Sequence, residues 1–159
     1  MPELLHRRAV RAIIVTPDGE LLLIRVRSPQ GAVFWITPGG GIEADESPEA
    51  ALRRELREEL GLESFTTGPT VWRRHHTFTW GEQRIAQREE FRIVHAERFE
   101  AAMVDPTEAQ FATELRWWRI AELHEASDRL APPSLAQIVS DYLENGAPAE
   151  VPPEEITAD

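Results

Sequence analysis

A run of glycines followed by a segment with marked helix ends constrains this chain more than any other feature. Three glycines occupy residues 39–41, and Ser47 and Pro48 stand where a helix N-cap and its first residue are expected. Gly61 stands where such a helix ends, since glycine readily adopts the left-handed conformation. The sequence therefore predicts a helix over residues 48–60 that follows a glycine turn.

The predicted helix has two distinct faces. Three leucines share an arc of about 80°: Leu52, Leu56 and Leu60. Three glutamates share a neighbouring arc of about 100°: Glu55, Glu58 and Glu59. Taken alone, an acidic helix face is more often a solvated surface with ordinary ion pairs, such as Arg54 with Glu58. The leucine face is predicted to pack on the core. The role of the acidic face has to be inferred from the sequence on either side of it.

These surroundings form a longer pattern. It runs from Gly40 over five residues to Glu46, then over seven residues to the segment Arg54-Glu55-Leu56-Arg57-Glu58-Glu59-Leu60-Gly61-Leu62. The pattern resembles the signature of the Nudix hydrolases, the MutT-like enzymes, and the detailed resemblance covers residues 34–62. It implies an α/β fold, a Nudix-type α/β/α sandwich with a mixed central sheet. It also favours a functional site over a solvated acidic face.

The resemblance implies a role for each residue of the motif. Glu58 and Glu59 match metal ligands, and Glu55 matches a ligand or the base that orients the attacking water. Gly39 matches the position whose main-chain carbonyl joins the metal. The matching support residues are Gly40, Glu46 and Arg54, with Glu46 and Arg54 expected to pair.

The acidic face is suited to a hard divalent cation. Three ionised glutamates on adjacent turns repel one another, and Mg²⁺ prefers carboxylate oxygen ligands. The expected cofactor is therefore Mg²⁺, for which Mn²⁺ can substitute. Such an ion neutralises phosphate charge and activates water, which hydrolysis of a diphosphate bond requires.

The family often completes its site with a distal carboxylate, and here the sequence leaves four candidates open. They are Glu89 and Glu90 on a predicted strand, and Glu108 and Glu114 before a later one. For each of them, plain solvent exposure is the alternative interpretation.

Several other side chains are candidates for substrate contacts, each with a structural alternative. His75 and His76 are adjacent on a predicted strand, so at most one of them faces a cleft. The candidate phosphate or base contacts are Arg73, Arg74, Arg84 and Arg92. One of five aromatic residues is expected to stack on a base while the others pack in the core: Trp35, Phe78, Trp80, Trp117 and Trp118.

The remaining pattern predicts one domain over residues 1–146. Residues 8–27 read as a hairpin around Pro17-Asp18-Gly19, and residues 33–36 as a short strand. Further strands are predicted at residues 71–72, 77–80, 90–94 and 115–118, with short helical turns near 121–126 and an amphipathic helix from Leu135 to Asn145. Residues 147–159, rich in proline and acid, are predicted to be a mobile tail.

Composition excludes several functional classes. The formal net charge of −11 argues against tight polynucleotide binding. All 17 basic residues are arginine, which excludes a phosphate-loop lysine and a Schiff base. No signal sequence or membrane-length apolar run is present, so a cytoplasmic protein without membrane contact is expected. A homodimer stays open.

Two functions from different classes fit the sequence. The first is a hydrolase of a nucleoside diphosphate linked to another group, and the second is a Nudix-fold nucleotide-binding or regulatory module that does not cleave. A Nudix-fold isopentenyl diphosphate isomerase would rely on a catalytic cysteine, and the chain has none. Secondary marks of the ADP-ribose, dinucleoside polyphosphate and coenzyme A hydrolases are also absent, so the substrate stays open.

Overall fold

The computed structural model describes residues 3–159, except the side chains of residues 107 and 108. The strands in the described chain are β1 (Leu4–Val15), β2 (Glu20–Arg27), β3 (Val33–Ile36), β4 (Gly39–Gly41), β5 (Thr66–Trp80), β6 (Gln83–His95), β7 (Ala112–Arg119), β8 (Arg129–Ala131) and β9 (Glu155–Ala158). The helices are α1 (Pro48–Leu60), α2 (Pro106–Ala109), α3 (Ile120–His124) and α4 (Leu135–Asn145). The predicted mixed α/β architecture is confirmed.

The strands form one mixed sheet. Its main path runs β8-β3-β2-β1-β6-β5-β9, with β4 also paired to β1 and β7 to β2. β1 runs parallel to β6 along its whole length but pairs with β2 at a single described position, Val15 with Leu21. The two strands of the hairpin therefore separate directly after their turn, and β4 pairs with β1 at Ala9–Arg11.

Each face of the sheet carries its own hydrophobic core. On one face, Leu52, Leu56 and Leu60 of α1 pack with Val10 and other buried residues of the sheet. On the other face, α4 packs against a cluster that includes the edge-to-face pair Trp35 and Trp118, whose ring centroids are 5.0 Å apart. The leucine face of α1 thus anchors the helix that carries the glutamates.

The ends of α1 agree with the sequence prediction for a local reason. The Ser47 side chain accepts a hydrogen bond from the Ala50 N–H at 3.1 Å, and Pro48 is the first helical residue. Gly61 has φ of 67°, and its N–H donates to the Arg57 carbonyl. Because capping depends on neighbouring residues only, both boundaries are readable from sequence.

One prediction about the sheet is wrong, and the C-terminal segment contains a strand. Residues 71–72 and 77–80 belong to one continuous strand, β5, because the residues between them pair with β6 and Arg74 forms an ion pair with Glu89 there. The segment predicted to be a mobile tail contains β9, in which Glu155–Ala158 pair with Arg74–Thr77 of β5. Such backbone pairing covers an open strand edge and needs no apolar side chains.

Candidate functional site

The glycine segment meets α1 through its backbone. The Gly39 N–H donates to Oε1 of Glu59 at 3.1 Å, and Glu59 is only 3% exposed. A Cβ on Gly39 would lie 2.2 Å from the Val10 carbonyl oxygen, and Gly39 has φ of +135°. Only glycine fits this close approach between β4 and β1.

Gly40 provides the space for a second glutamate. A Cβ at Gly40 would lie 2.5 Å from the carboxylate of Glu55, which is buried. The missing side chain therefore allows the Glu55 carboxylate to lie directly against the strand. Glu55 and Glu59, four residues apart, face the same glycine pair.

Glu58 has a different position from the other two glutamates. Its side chain is 47% exposed, and it accepts a hydrogen bond from Nη1 of Arg54 at 3.3 Å. The acidic face thus consists of two buried carboxylates and one at the solvent-facing rim. The ion pair of Arg54 with Glu58, which a purely structural interpretation requires, coexists with the glycine-facing pair.

Arg54 connects the loop before α1 to this acidic face. It donates two hydrogen bonds of 2.8 Å to Glu46, one of 2.9 Å to Glu55 and one of 2.9 Å to the Gly41 carbonyl. The hydrogen bonds from Arg54, then that from the Glu43 main chain, lower the pKa of Glu46 to about 2. The pKa of Arg54 is raised, first by its hydrogen bond to Glu46. The predicted pair of Glu46 and Arg54 is present.

The donor atoms at this place are suited to a hard divalent cation. Glu55, Glu58 and Glu59 supply carboxylate oxygens, and Gly39 adds a main-chain carbonyl, the ligand types that Mg²⁺ and Mn²⁺ prefer. The cleared space at Gly40 gives access to the Glu55 carboxylate. As they stand, no three His, Asp or Glu side chains in the described part of the chain converge closely enough to hold an ion. The residue types fit a divalent cation, but the glutamate side chains have to move closer together to bind it.

A residue that the sequence analysis did not select, Arg11, also contacts this place. Its Nη1 donates to the Gly39 carbonyl at 3.2 Å, and its Nε donates to Glu89 at 3.2 Å. In the sequence Arg11 is a charged residue flanked by two apolar ones, Val10 and Ala12, but no local pattern indicates its contacts with Gly39 and Glu89.

The four candidate distal carboxylates have separate environments. Glu89 is buried and pairs with Arg11 and with Arg74, whose Nε lies 2.9 Å away. Burial acts to raise the pKa of Glu89, but the two guanidinium groups outweigh it and the pKa is lowered. Glu90 pairs with Thr70 and Arg92, Glu114 is exposed, and the Glu108 side chain lies outside the described residues. Of the described three, Glu89 is the one connected to Gly39, through Arg11.

His76 and the four candidate arginines have partners within the chain. His76 is hydrogen-bonded to Thr157 of β9 and stacks on Phe78, and burial, then the charge of Arg74, lowers its pKa. The candidate arginines pair as Arg73 with the Pro152 carbonyl, Arg74 with Glu89, Arg84 with Asp159 and Arg92 with Glu90. Of these, Arg74 shares Glu89 with Arg11, the residue that contacts Gly39.

Among the five aromatic candidates, Trp117 lines a cavity of about 410 Å³ together with Arg98 and Phe99. Trp35 and Trp118 are core residues. Trp80 packs edge-to-face on Phe111, whereas Phe78 stacks on His76.

No helix in the described part of the chain is both long and apolar enough to cross a membrane.

Comparison with known proteins adds a family to this geometry. Residues 5–141 match the NUDIX domain. The nucleoside triphosphatase NudI of Escherichia coli is 39% identical over 71 residues, which cover 43% of this chain and 50% of that protein. The chain therefore spans about half the length of the curated relatives it matches.

Solved structures share the fold over most of the chain. The Escherichia coli ORF135 protein is 30% identical with a TM-score of 0.56, covering 92% of this chain and 96% of that one. The MutT protein of Methanosarcina mazei is 20% identical with a TM-score of 0.62, covering 91% and 97%. The second likeness, at this identity, shows the fold alone.

Proposed function

The chain belongs to the Nudix family, and from this premise we propose that it is a Mg²⁺-dependent hydrolase of a diphosphate bond in a nucleoside diphosphate linked to another group. One observation carries the proposal. The motif is intact, and its glutamates lie against the glycine segment, with Glu59 hydrogen-bonded to Gly39 and Glu55 beside Gly40.

Each residue of the motif has a proposed role. Glu58 and Glu59, with the Gly39 carbonyl, would hold the ion, and Glu55 would be a further ligand or the base that orients the water. When bound, the ion supplies neutralisation of phosphate charge and a water of lowered pKa. Gly40 leaves room for the carboxylate of Glu55.

Arg54 has a positioning role in this proposal. Its guanidinium binds Glu46 in the loop and Glu55 on the helix, so it fixes the direction of the Glu55 carboxylate. It also offsets part of the repulsion among the glutamates, because its Nη1 lies near both Glu55 and Glu58. Glu58, at the solvent-facing rim, lies where an incoming phosphate chain would first meet the site.

The substrate class is proposed from the family and the relatives together. The name of the NudI relative describes a nucleoside triphosphatase, and the cavity lined by Trp117 is our candidate place for a base, although the Arg98 guanidinium lies 5.8 Å from the centroid of that ring and pairs with Glu20. We therefore propose a nucleotide or nucleotide derivative as substrate. The cytoplasmic location, the exchange of Mg²⁺ for Mn²⁺ and a homodimer stay predictions.

The test is a hydrolysis screen of the full chain with Mg²⁺ or with EDTA. The panel contains nucleoside triphosphates, oxidised nucleotides, nucleotide sugars and dinucleoside polyphosphates, and products are identified by chromatography. We expect Mg²⁺-dependent release of a nucleoside monophosphate or a phosphate product. Tight nucleotide binding without hydrolysis would contradict the proposal and support the regulatory alternative.

A further inference from the structure

The Gly39 carbonyl, a proposed metal ligand, already accepts a hydrogen bond from Arg11. The distance from Nη1 of Arg11 to this oxygen is 3.2 Å. The Arg11 side chain is 15% exposed, so little water competes for the bond. A hydrogen bond from a charged donor to a carbonyl oxygen is stronger than one from an ordinary amide N–H.

Arg11 belongs to a buried cluster of three charges. Glu89, whose side chain is 4% exposed, accepts from Nε of Arg11 at 3.2 Å and from Nε of Arg74 at 2.9 Å. Two guanidinium groups therefore share one carboxylate, and the Arg11 guanidinium places positive charge against the Gly39 carbonyl, while the Gly39 N–H donates to Glu59. The charge of the Arg11 guanidinium opposes binding of a divalent cation to the same carbonyl oxygen.

The backbone of Gly39 has little freedom to move its carbonyl away from Arg11. Its N–H is held by Glu59, and the position where its Cβ would stand is 2.2 Å from the Val10 carbonyl oxygen. The peptide is thus confined on both sides. The side chain of Arg11, with several rotatable bonds, is the part that can move.

We propose that Arg11 and the divalent cation compete for the Gly39 carbonyl, and that the Arg11 guanidinium turns away from this oxygen when the ion binds. This inference rests on the proposed function, because it takes the Gly39 carbonyl as a ligand. Arg11 is then a positioning residue that sets the metal affinity of the nucleotide-free protein.

Arg74 provides a matched control for this role. Arg11→Gln and Arg74→Gln each remove one of the two guanidinium groups that pair with Glu89, and each leaves Glu89 with the other. Of the two arginines, Arg11 is the one hydrogen-bonded to Gly39. General electrostatics would affect both variants, whereas direct competition affects one.

The experiment measures Mn²⁺ binding to the full chain without nucleotide, from the electron paramagnetic resonance signal of free Mn²⁺. We expect Arg11→Gln to bind Mn²⁺ about tenfold more tightly than wild type, since a charged hydrogen bond no longer has to break. We expect Arg74→Gln to stay within about twofold of wild type, because its charge does not contact Gly39. Unchanged affinity in Arg11→Gln, or equal tightening in both variants, would overturn the inference.

A second measurement uses the wild-type chain, so that it tests the inference even if a variant fails to fold. The side-chain Nε–H signals of arginine are followed by NMR during a Mg²⁺ titration, with Arg11→Lys used for assignment. The Arg11 signal should shift with the midpoint of metal binding. An unchanged Arg11 signal at metal saturation would overturn the inference, whereas no metal binding by wild type or variants would contradict the proposed function itself.

Discussion

Gly39 and Glu59, separated by 20 residues of sequence, are joined by a hydrogen bond of 3.1 Å from the main-chain N–H to Oε1. The bond ties β4 to α1 and aims one carboxylate of the helix at the glycine segment. Since Gly40 also clears the space beside Glu55, the glycines determine where two of the three glutamates lie.

Alanine at each of the three glycines should give three different results. Gly39→Ala should lose at least about 1–3 kcal/mol of unfolding free energy, because the new Cβ meets backbone and φ is positive. Gly40→Ala should keep most of its stability but lose turnover, because the three atoms nearest to its Cβ would all belong to the Glu55 side-chain carboxylate and not to the backbone. Urea denaturation and steady-state kinetics measure the two effects.

Gly41→Ala is the control, because the nearest atom to its Cβ would be 3.8 Å away. We expect this variant to resemble wild type in both measurements. Equal stability of Gly39→Ala and Gly41→Ala would refute the argument from close approach.

Replacing Arg54 by glutamine should weaken the site while the helix persists. The variant loses the hydrogen bonds to Glu46, Glu55 and the Gly41 carbonyl. We expect Mn²⁺ affinity or turnover to fall by about 10–100-fold, the usual effect of removing a residue that orients metal ligands. Arg53→Gln is the matched control, because Arg53 is half exposed and pairs with Glu49 on the outer side of α1. Equal effects of both substitutions would contradict the positioning role.

The low pKa of Glu46 predicts a pH dependence of stability. Arg54 lowers this pKa from 4.5 to about 2, so the ionised form stabilises the folded state. This contribution is fully present above pH about 4.5, the unfolded value, and is lost as the pH falls towards about 2. The difference in urea midpoint between wild type and Glu46→Gln should therefore be constant above about pH 5 and shrink below it. A difference that stays constant down to pH 2.5 would count against the assignment.

The sequence was sufficient for α1 and insufficient for several strands, and the reason is physical. The signals that begin and end α1 are Ser47, Pro48 and Gly61, all local. β4 consists of glycines, and its strand character comes from pairing with Ala9–Arg11 about thirty residues earlier, which no local side-chain pattern encodes. The middle of β5 is charged, and Arg74 is tolerated there because Glu89 lies opposite it on β6.

In the candidate site, too, local sequence predicts some features and the tertiary fold determines the others. The motif predicts Glu55, Glu58 and Glu59 as site residues, because the residue types and spacing are local. The burial of two of them and the exposure of the third depend on where β4 lies. Arg11 was missed because its importance comes from contacts with Gly39 and Glu89, which only the tertiary fold brings together.

The central claim is that the glutamates of α1 act through a divalent metal. It is tested most directly by the turnover of Glu58→Gln and Glu59→Gln with Mg²⁺, on the nucleotide that the screen identifies. Glu49→Gln, on the first turn of the same helix, is the control. We predict that both site variants keep their fold and lose more than about a hundredfold in turnover, beyond the usual effect of losing a supporting residue. Turnover near that of wild type in both variants would contradict the account.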